Sequence, residues 1–212
     1  MIEIISHRGL WHESGEKNSL QSFKNSLCND FGIETDIRDH DGDLVISHDI
    51  PLKNCNHLLL DELLEFYKAN NYDKTLALNI KSDGLCSLLR KKLDDFNIEN
   101  YFVFDMSVPD TLSYQKEDVK FYSRQSEYEK EPILYKESHG IWLDEFHSDW
   151  VTNEVIKSHH INMKKVCVVS PELHGRNYLD KWKNYKDISI RNPELSIILC
   201  TDFPLEARSY FG

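Results

Sequence analysis

The chain has no excess of basic residues, no apolar run long enough to cross a bilayer, and no glycine-rich nucleotide-binding turn. Its 212 residues hold 25 Lys and Arg against 36 Asp and Glu, a formal net charge of −11. That balance disfavours a nucleic-acid surface or adsorption to an anionic membrane, so any phosphate site must be a local basic pocket. No stretch approaches the roughly 20 apolar residues of a membrane span, the chain enters its first strand without the basic flank of a signal peptide, and no amphipathic docking helix is apparent. A soluble, cytoplasmic protein without stable membrane association is expected. The five cysteines, Cys28, Cys55, Cys86, Cys167 and Cys200, are odd in number and lie mostly among apolar residues. They are expected to be buried free thiols in a reducing compartment.

What is present is an alternation of strand-like and helix-like segments with no repeat, low-complexity tract or linker between them, which points to a parallel α/β sheet. Strands are expected around Ile4-Ile5 and over residues 33–37, 76–80, 101–104, 120–123, 140–143, 165–169 and 196–199. A hairpin through residues 39–43 follows the second. Helices are expected after Asn18-Ser19, over residues 61–70, 85–96 and 153–159, from Val108, as a short piece at 133–136, and at the end of the chain. Arg8, Glu34, Asp36, Asn79, Lys81, Asp105, Arg124, Asp144, Glu172 and Asp202 all fall at or just after the C-terminal ends of these strands. In a closed parallel barrel those ends converge on one face, where such enzymes place their sites. Alternation alone also allows an open doubly wound sheet, but no Gly-x-Gly-x-x-Gly turn follows any strand. The length suits one domain over residues 1–212, at the low end for a (β/α)8 barrel.

The chemistry concentrates in the first fifty residues. Ile4-Ile5 delivers His7 and Arg8; Ile33 leads into Glu34 and Asp36, whose i, i+2 spacing on a strand puts both carboxylates on one face, able to grip one divalent cation. Leu44-Val45-Ile46 delivers a second histidine, His48. Two imidazoles, a guanidinium and a carboxylate pair are the groups that metal-assisted phosphoryl chemistry needs.

The order His7-Arg8-Gly9, Asn18-Ser19-Leu20, Gly32-Ile33-Glu34-Thr35-Asp36, and Asp41-Gly42 with Leu44-Val45-Ile46-Ser47-His48-Asp49 resembles the glycerophosphodiester phosphodiesterase family, relatives of the phosphoinositide-specific phospholipases C. Leu78-Asn79-Ile80-Lys81, where the family has a strand ending in Glu-x-Lys, and Thr201-Asp202-Phe203-Pro204 extend the resemblance along the chain. It implies a (β/α)8 TIM barrel of the phospholipase C-like type. Here the connection from Asp36 to Asn79 is short, leaving little or no inserted subdomain. The resemblance also implies His7 and His48 as general acid and base, a Mg2+ or Ca2+ ion on Glu34 and Asp36, and Arg8 and Lys81 as phosphate ligands. The sequence departs from the family twice: the third metal carboxylate is Asn79, whose amide oxygen still suits a hard cation with one charge fewer, and the acid of the Pro-Glu-Asn-Thr turn is Lys17. Arg124, His174 and Arg176 are candidate substrate-recognition residues, and Trp11 and Trp142 candidates for stacking. The expected activity is hydrolysis of a small glycerophosphodiester-like substrate. A barrel that binds a phosphodiester without turnover and a cyclising, phospholipase-like activity are the alternatives.

Overall fold

The computed structural model describes residues 2–53 and 55–212. They gather into two compact units, residues 6–121 and residues 2–5 with 122–212, and strand β1 (Ile2–His7) contributes to both.

The unit of residues 6–121 contains α1 (Leu20–Cys28), β2 (Gly32–His40), β3 (Asp43–Ile46), α2 (Leu60–Ala69), β4 (Leu76–Ile80), α3 (Cys86–Asp95), β5 (Tyr101–Phe104) and α4 (Val108–Lys116). Its strand order is β5-β4-β2-β1, and β3 returns antiparallel on β2 as the expected hairpin. β2 pairs in parallel with β4, and β4 with β5, while Val103 bridges in parallel to Phe121. Every residue from Gly32 to Ile37 and from Leu76 to Ile80 is buried. Strands covered on both faces read as apolar runs, so the polar residues inside them, Glu34, Thr35, Asp36 and Asn79, need another reason to be there. Helix α1 begins where expected: the Ser19 side chain accepts from the Ser22 N–H, and Phe23 and Leu27 turn inward.

The other unit contains β6 (Tyr122–Gln125), β7 (Gly140–Leu143), α5 (Asn153–Ile161), β8 (Lys165–Val169), α6 (Leu179–Arg191), β9 (Ile197–Thr201) and α7 (Pro204–Phe211). Its order is β1-β9-β8-β7-β6, with β6, β7, β8 and β9 paired in parallel. Ile141, Leu143, Val166, Val168, Ile197 and Leu199 meet Ile156, Trp182, Tyr185 and Ala207 in its core. Eight parallel strands with intervening helices, plus the antiparallel β3, make the chain a (β/α)8 barrel.

Three expectations need correction. Helix α6, which buries Trp182, Tyr185 and Ile188, falls where the sequence reading placed no element. Residues 133–137 form turns rather than a helix, and Leu134 is left-handed at φ 51°. All five cysteines are free, but only Cys86, Cys167 and Cys200 are buried; Cys28 and Cys55 are exposed.

Candidate active site

The residues expected to do chemistry in the first unit lie together at the C-terminal ends of its strands. β1 stops at His7 because the next two residues are left-handed, Arg8 at φ 57° and Gly9 at φ 89°. A Cβ on Gly9 would lie 2.7 Å from Ser22 Cβ and 2.9 Å from its carbonyl carbon, so only glycine lets this turn pack on helix α1. The turn is pinned by the Arg8 N–H on the Glu34 carbonyl (2.9 Å) and the Asn18 N–H on the Arg8 carbonyl (3.0 Å). Trp11 Nε1 donates to the His7 carbonyl at 3.1 Å, and Lys17 Nζ lies 4.3 Å from the Trp11 ring centroid, a cation–π contact.

On β2, Glu34 and Asp36 share one face and are buried, 2% and 0% exposed. Parallel register places Asp36 beside Asn79 of β4, and Lys81 follows two residues later. Asp36 is charge-compensated: Arg8 Nε lies 2.9 Å from Oδ2 and Lys81 Nζ 3.3 Å from Oδ1. Asn18 Nδ2 donates to Asp36 Oδ2 at 2.8 Å while its Oδ1 accepts from Thr35 Oγ1 at 2.9 Å, so one amide fixes the carboxylate's rotation. Glu34 has less support: its Oε2 lies 3.8 Å from His7 Nε2, and burial, reinforced by the nearby Asp36 charge, pushes its carboxyl up to about 7 against the pull of His7, Arg8 and Lys81.

Three buried oxygens in this group, Glu34 Oε2, Asp36 Oδ1 and Asn79 Oδ1, make no hydrogen bond. Buried acceptors are ordinarily satisfied, and a set of three hard oxygens is the donor chemistry of Mg2+ or Ca2+. Among the described residues no three His, Cys, Asp or Glu side chains form a metal-type cluster, so the third oxygen here is the Asn79 amide. The residues present therefore fit a divalent cation.

His48 follows β3, tied in place by the Ser47 N–H on the Asp36 carbonyl (3.0 Å) and Arg38 Nε on the His48 carbonyl (3.1 Å). Its side chain is 49% exposed and its Nδ1 lies 2.8 Å from Asp49 Oδ1. A carboxylate on Nδ1 holds the proton there and leaves Nε2 for proton transfer.

The recognition candidates lie in the other unit, where carboxylates engage them. Arg124 pairs with Glu129; His174 Nε2 lies 2.5 Å from Asp144 Oδ1; Arg176 donates to the Glu145 carbonyl (2.8 Å) and pairs with Asp149 (2.5 Å). Glu172 accepts from the hydroxyls of Ser170 and Thr201, with burial raising its carboxyl and those hydroxyls opposing the rise. Trp142 is buried in the sheet. Sequence reasoning missed two residues of the first unit. Asn18 was read as a helix boundary and as part of the motif that carries the resemblance but given no role at the site, and Arg38 was passed over although its i+4 spacing from Glu34 puts it on the same face of β2.

No family model and no curated protein matches the sequence. Solved structures do. A candidate glycerophosphodiester phosphodiesterase from Galdieria sulphuraria superposes with a TM-score of 0.79 at 19% identity, covering 100% of this chain and 98% of that one. Glycerophosphodiester phosphodiesterases from Parabacteroides distasonis (TM-score 0.70, 16% identity, 99% and 96% covered) and Agrobacterium tumefaciens str. C58 (0.68, 14%, 98% and 100%) also match end to end. The chain thus has the (β/α)8 barrel fold of structures solved as glycerophosphodiester phosphodiesterases.

Proposed function

We propose that the chain is a phosphoric diester hydrolase of the glycerophosphodiester phosphodiesterase kind, acting with a divalent cation on a small glycerophosphodiester-like substrate. The observation that carries this reading is the set of three buried oxygens of Glu34, Asp36 and Asn79 that make no hydrogen bond, beside His7, Arg8 and Lys81. A Mg2+ or Ca2+ ion on those oxygens would supply Lewis-acid stabilisation of charge on the phosphoryl oxygens. Arg8 and Lys81 are the phosphate ligands, charge-assisted donors to the non-bridging oxygens. His7 and His48 move the protons, one to the leaving alcohol and one from the attacking water, since imidazole titrates near neutral pH. Asn18 holds Asp36 in rotation. Asn79 in place of a carboxylate leaves one charge fewer for the cation and implies weaker binding of the free ion.

The test is hydrolysis of glycerophosphodiesters with Mg2+, Ca2+ or chelator, with thermal melts alongside. Activity should require a divalent ion, and His7→Ala or His48→Ala should lower the rate about 10²–10⁴-fold with the melt little changed. Asn79→Glu should lower the ion concentration needed for half-maximal rate. A wild-type protein that binds diesters with a cation but never cleaves them would replace this reading with that of a binding barrel.

A further inference from the structure

Beyond Asp36 the same face of β2 carries Arg38, two residues further along and paired in register with Val45 of β3. Arg38 is half-buried, and its Nε is spent on the His48 carbonyl at 3.1 Å. Among the described residues no carboxylate lies within ion-pair distance of it, and its terminal nitrogens make no hydrogen bond. The other cations of this region differ: Arg8 and Lys81 both lie against Asp36. Elsewhere Arg90, Arg124 and Arg176 are each paired to a carboxylate, whereas Arg191, which is not, is exposed. In a chain with 36 acidic side chains, Arg38 is thus a guanidinium beside the candidate site with no carboxylate set against it. Unlike Arg8 Nε, its terminal nitrogens are not shut away from solvent, so an anion arriving from outside can complete the fork of donors. The fork that remains here suits a planar carboxylate or a phosphate.

We propose that Arg38 forms an anionic subsite beside His48, selecting phosphodiesters in which one alcohol carries a second negative group, a carboxylate or a phosphomonoester. The inference rests on the phosphodiesterase reading and refines its substrate class. Arg8 and Lys81 meet the diester phosphate; Arg38, tethered to the His48 backbone, meets the group borne by the alcohol. Because the tether is to a carbonyl, Arg38 also steadies the segment that carries His48, and the test must separate these two effects.

Matched glycerophosphodiesters would be compared, one ending in glycerol, one in glycerate and one in glycerol phosphate, for wild type, Arg38→Gln and Arg38→Lys. Wild type should favour the anionic diesters by about 10–100-fold in kcat/KM, the scale of one charge-assisted bond. Arg38→Gln should bring that ratio near unity, mainly through KM, and Arg38→Lys should restore part of it. No preference in wild type, or a fall in kcat of the same size for all three substrates, overturns the proposal while leaving the hydrolase reading in place. If no diester is hydrolysed, that reading fails, and calorimetric binding of the same diesters decides the subsite. Tighter binding of the anionic diesters that is lost in Arg38→Gln upholds it, and equal binding overturns it.

Discussion

Replacing Lys181 with Met should be among the most damaging single changes in the chain, with a cost that depends on pH. Lys181 and Glu145 are 3% and 0% exposed; Lys181 Nζ donates to Glu145 Oε1 at 2.6 Å and to the Val151 carbonyl at 2.9 Å. Glu145 also accepts from Tyr185 Oη (3.1 Å) and the Val151 N–H (2.7 Å). Burial already raises its carboxyl above the ordinary 4.5, with Lys181 the first of the groups opposing that rise. Methionine keeps the apolar stem and removes the charge, and an uncompensated buried carboxylate costs about 3–5 kcal/mol. The carboxyl can escape by taking up a proton. At pH 7 that costs about 3.4 kcal/mol for a group with an ordinary pKa of 4.5, and at pH 5 less than about 1 kcal/mol. In the variant the folded-state pKa lies above the unfolded value, so the penalty grows as pH rises past 4.5 and fades below it. Urea unfolding should therefore give a loss of about 3–5 kcal/mol at pH 7, shrinking at pH 5 to about 1–2 kcal/mol, the residue left by the unpaired Val151 carbonyl. Adding Glu145→Gln should recover most of the pH 7 loss. A loss below about 1 kcal/mol at pH 7, or one equal at both pH values, would refute the reasoning.

Gly9 and Gly175 are both left-handed, at φ 89° and 69°, but a Cβ on Gly175 meets nothing within 4 Å. Gly175→Ala should cost about 1–2 kcal/mol for its backbone alone, and Gly9→Ala about 1–3 kcal/mol more for the overlap with Ser22; equal losses in denaturant unfolding would remove the steric part of the argument. Glu127 loses from burial but is held down to about 2 by the N–H groups of His147, Ser148 and Phe146. Its contribution is present above pH 4.5 and lost as pH falls toward 2, so Glu127→Gln should flatten the acid limb of a stability–pH profile; an unchanged limb would show that the bonds carry no net weight.

Much of the fold could be read directly because it rests on local signals. Strands β4, β5, β7 and β8 are short apolar runs bounded by polar residues, and their limits coincide with the expected ones. Helix α6 was passed over although Trp182, Tyr185 and Ile188 recur at helical spacing, because the polar residues around them read as a solvated loop, whereas Lys181 beside them is buried. A lysine reads as surface until its partner is known, and Glu145 lies 36 positions away. At the candidate site, Glu34, Asp36, His7 and His48 stood out by their residue types, their spacing and their match to the family motifs. Asn18 stood out as a motif residue but without a role, because reaching both Thr35 and Asp36 at once is a fact of three dimensions. Cys28 and Cys55 departed from the expected burial of free thiols: Cys55 stands between Asn54 and Asn56 in the sequence and Cys28 is followed by Asn29-Asp30, polar neighbours that the expectation gave too little weight.

The loop after β7 is held by a ligand that the chain supplies for itself. Phe146, His147 and Ser148 aim successive backbone N–H groups at the Glu127 carboxylate, at 3.1, 2.9 and 2.9 Å. Such a concavity of amides recognises negative charge and is indifferent to its source, as in the backbone nests that hold phosphate. Removing the carboxylate leaves the cup, so a Glu127→Gly chain would acquire an inducible anchor. Formate or sulfate in the buffer could take the vacated place, making the order of this loop depend on the anion composition of the medium.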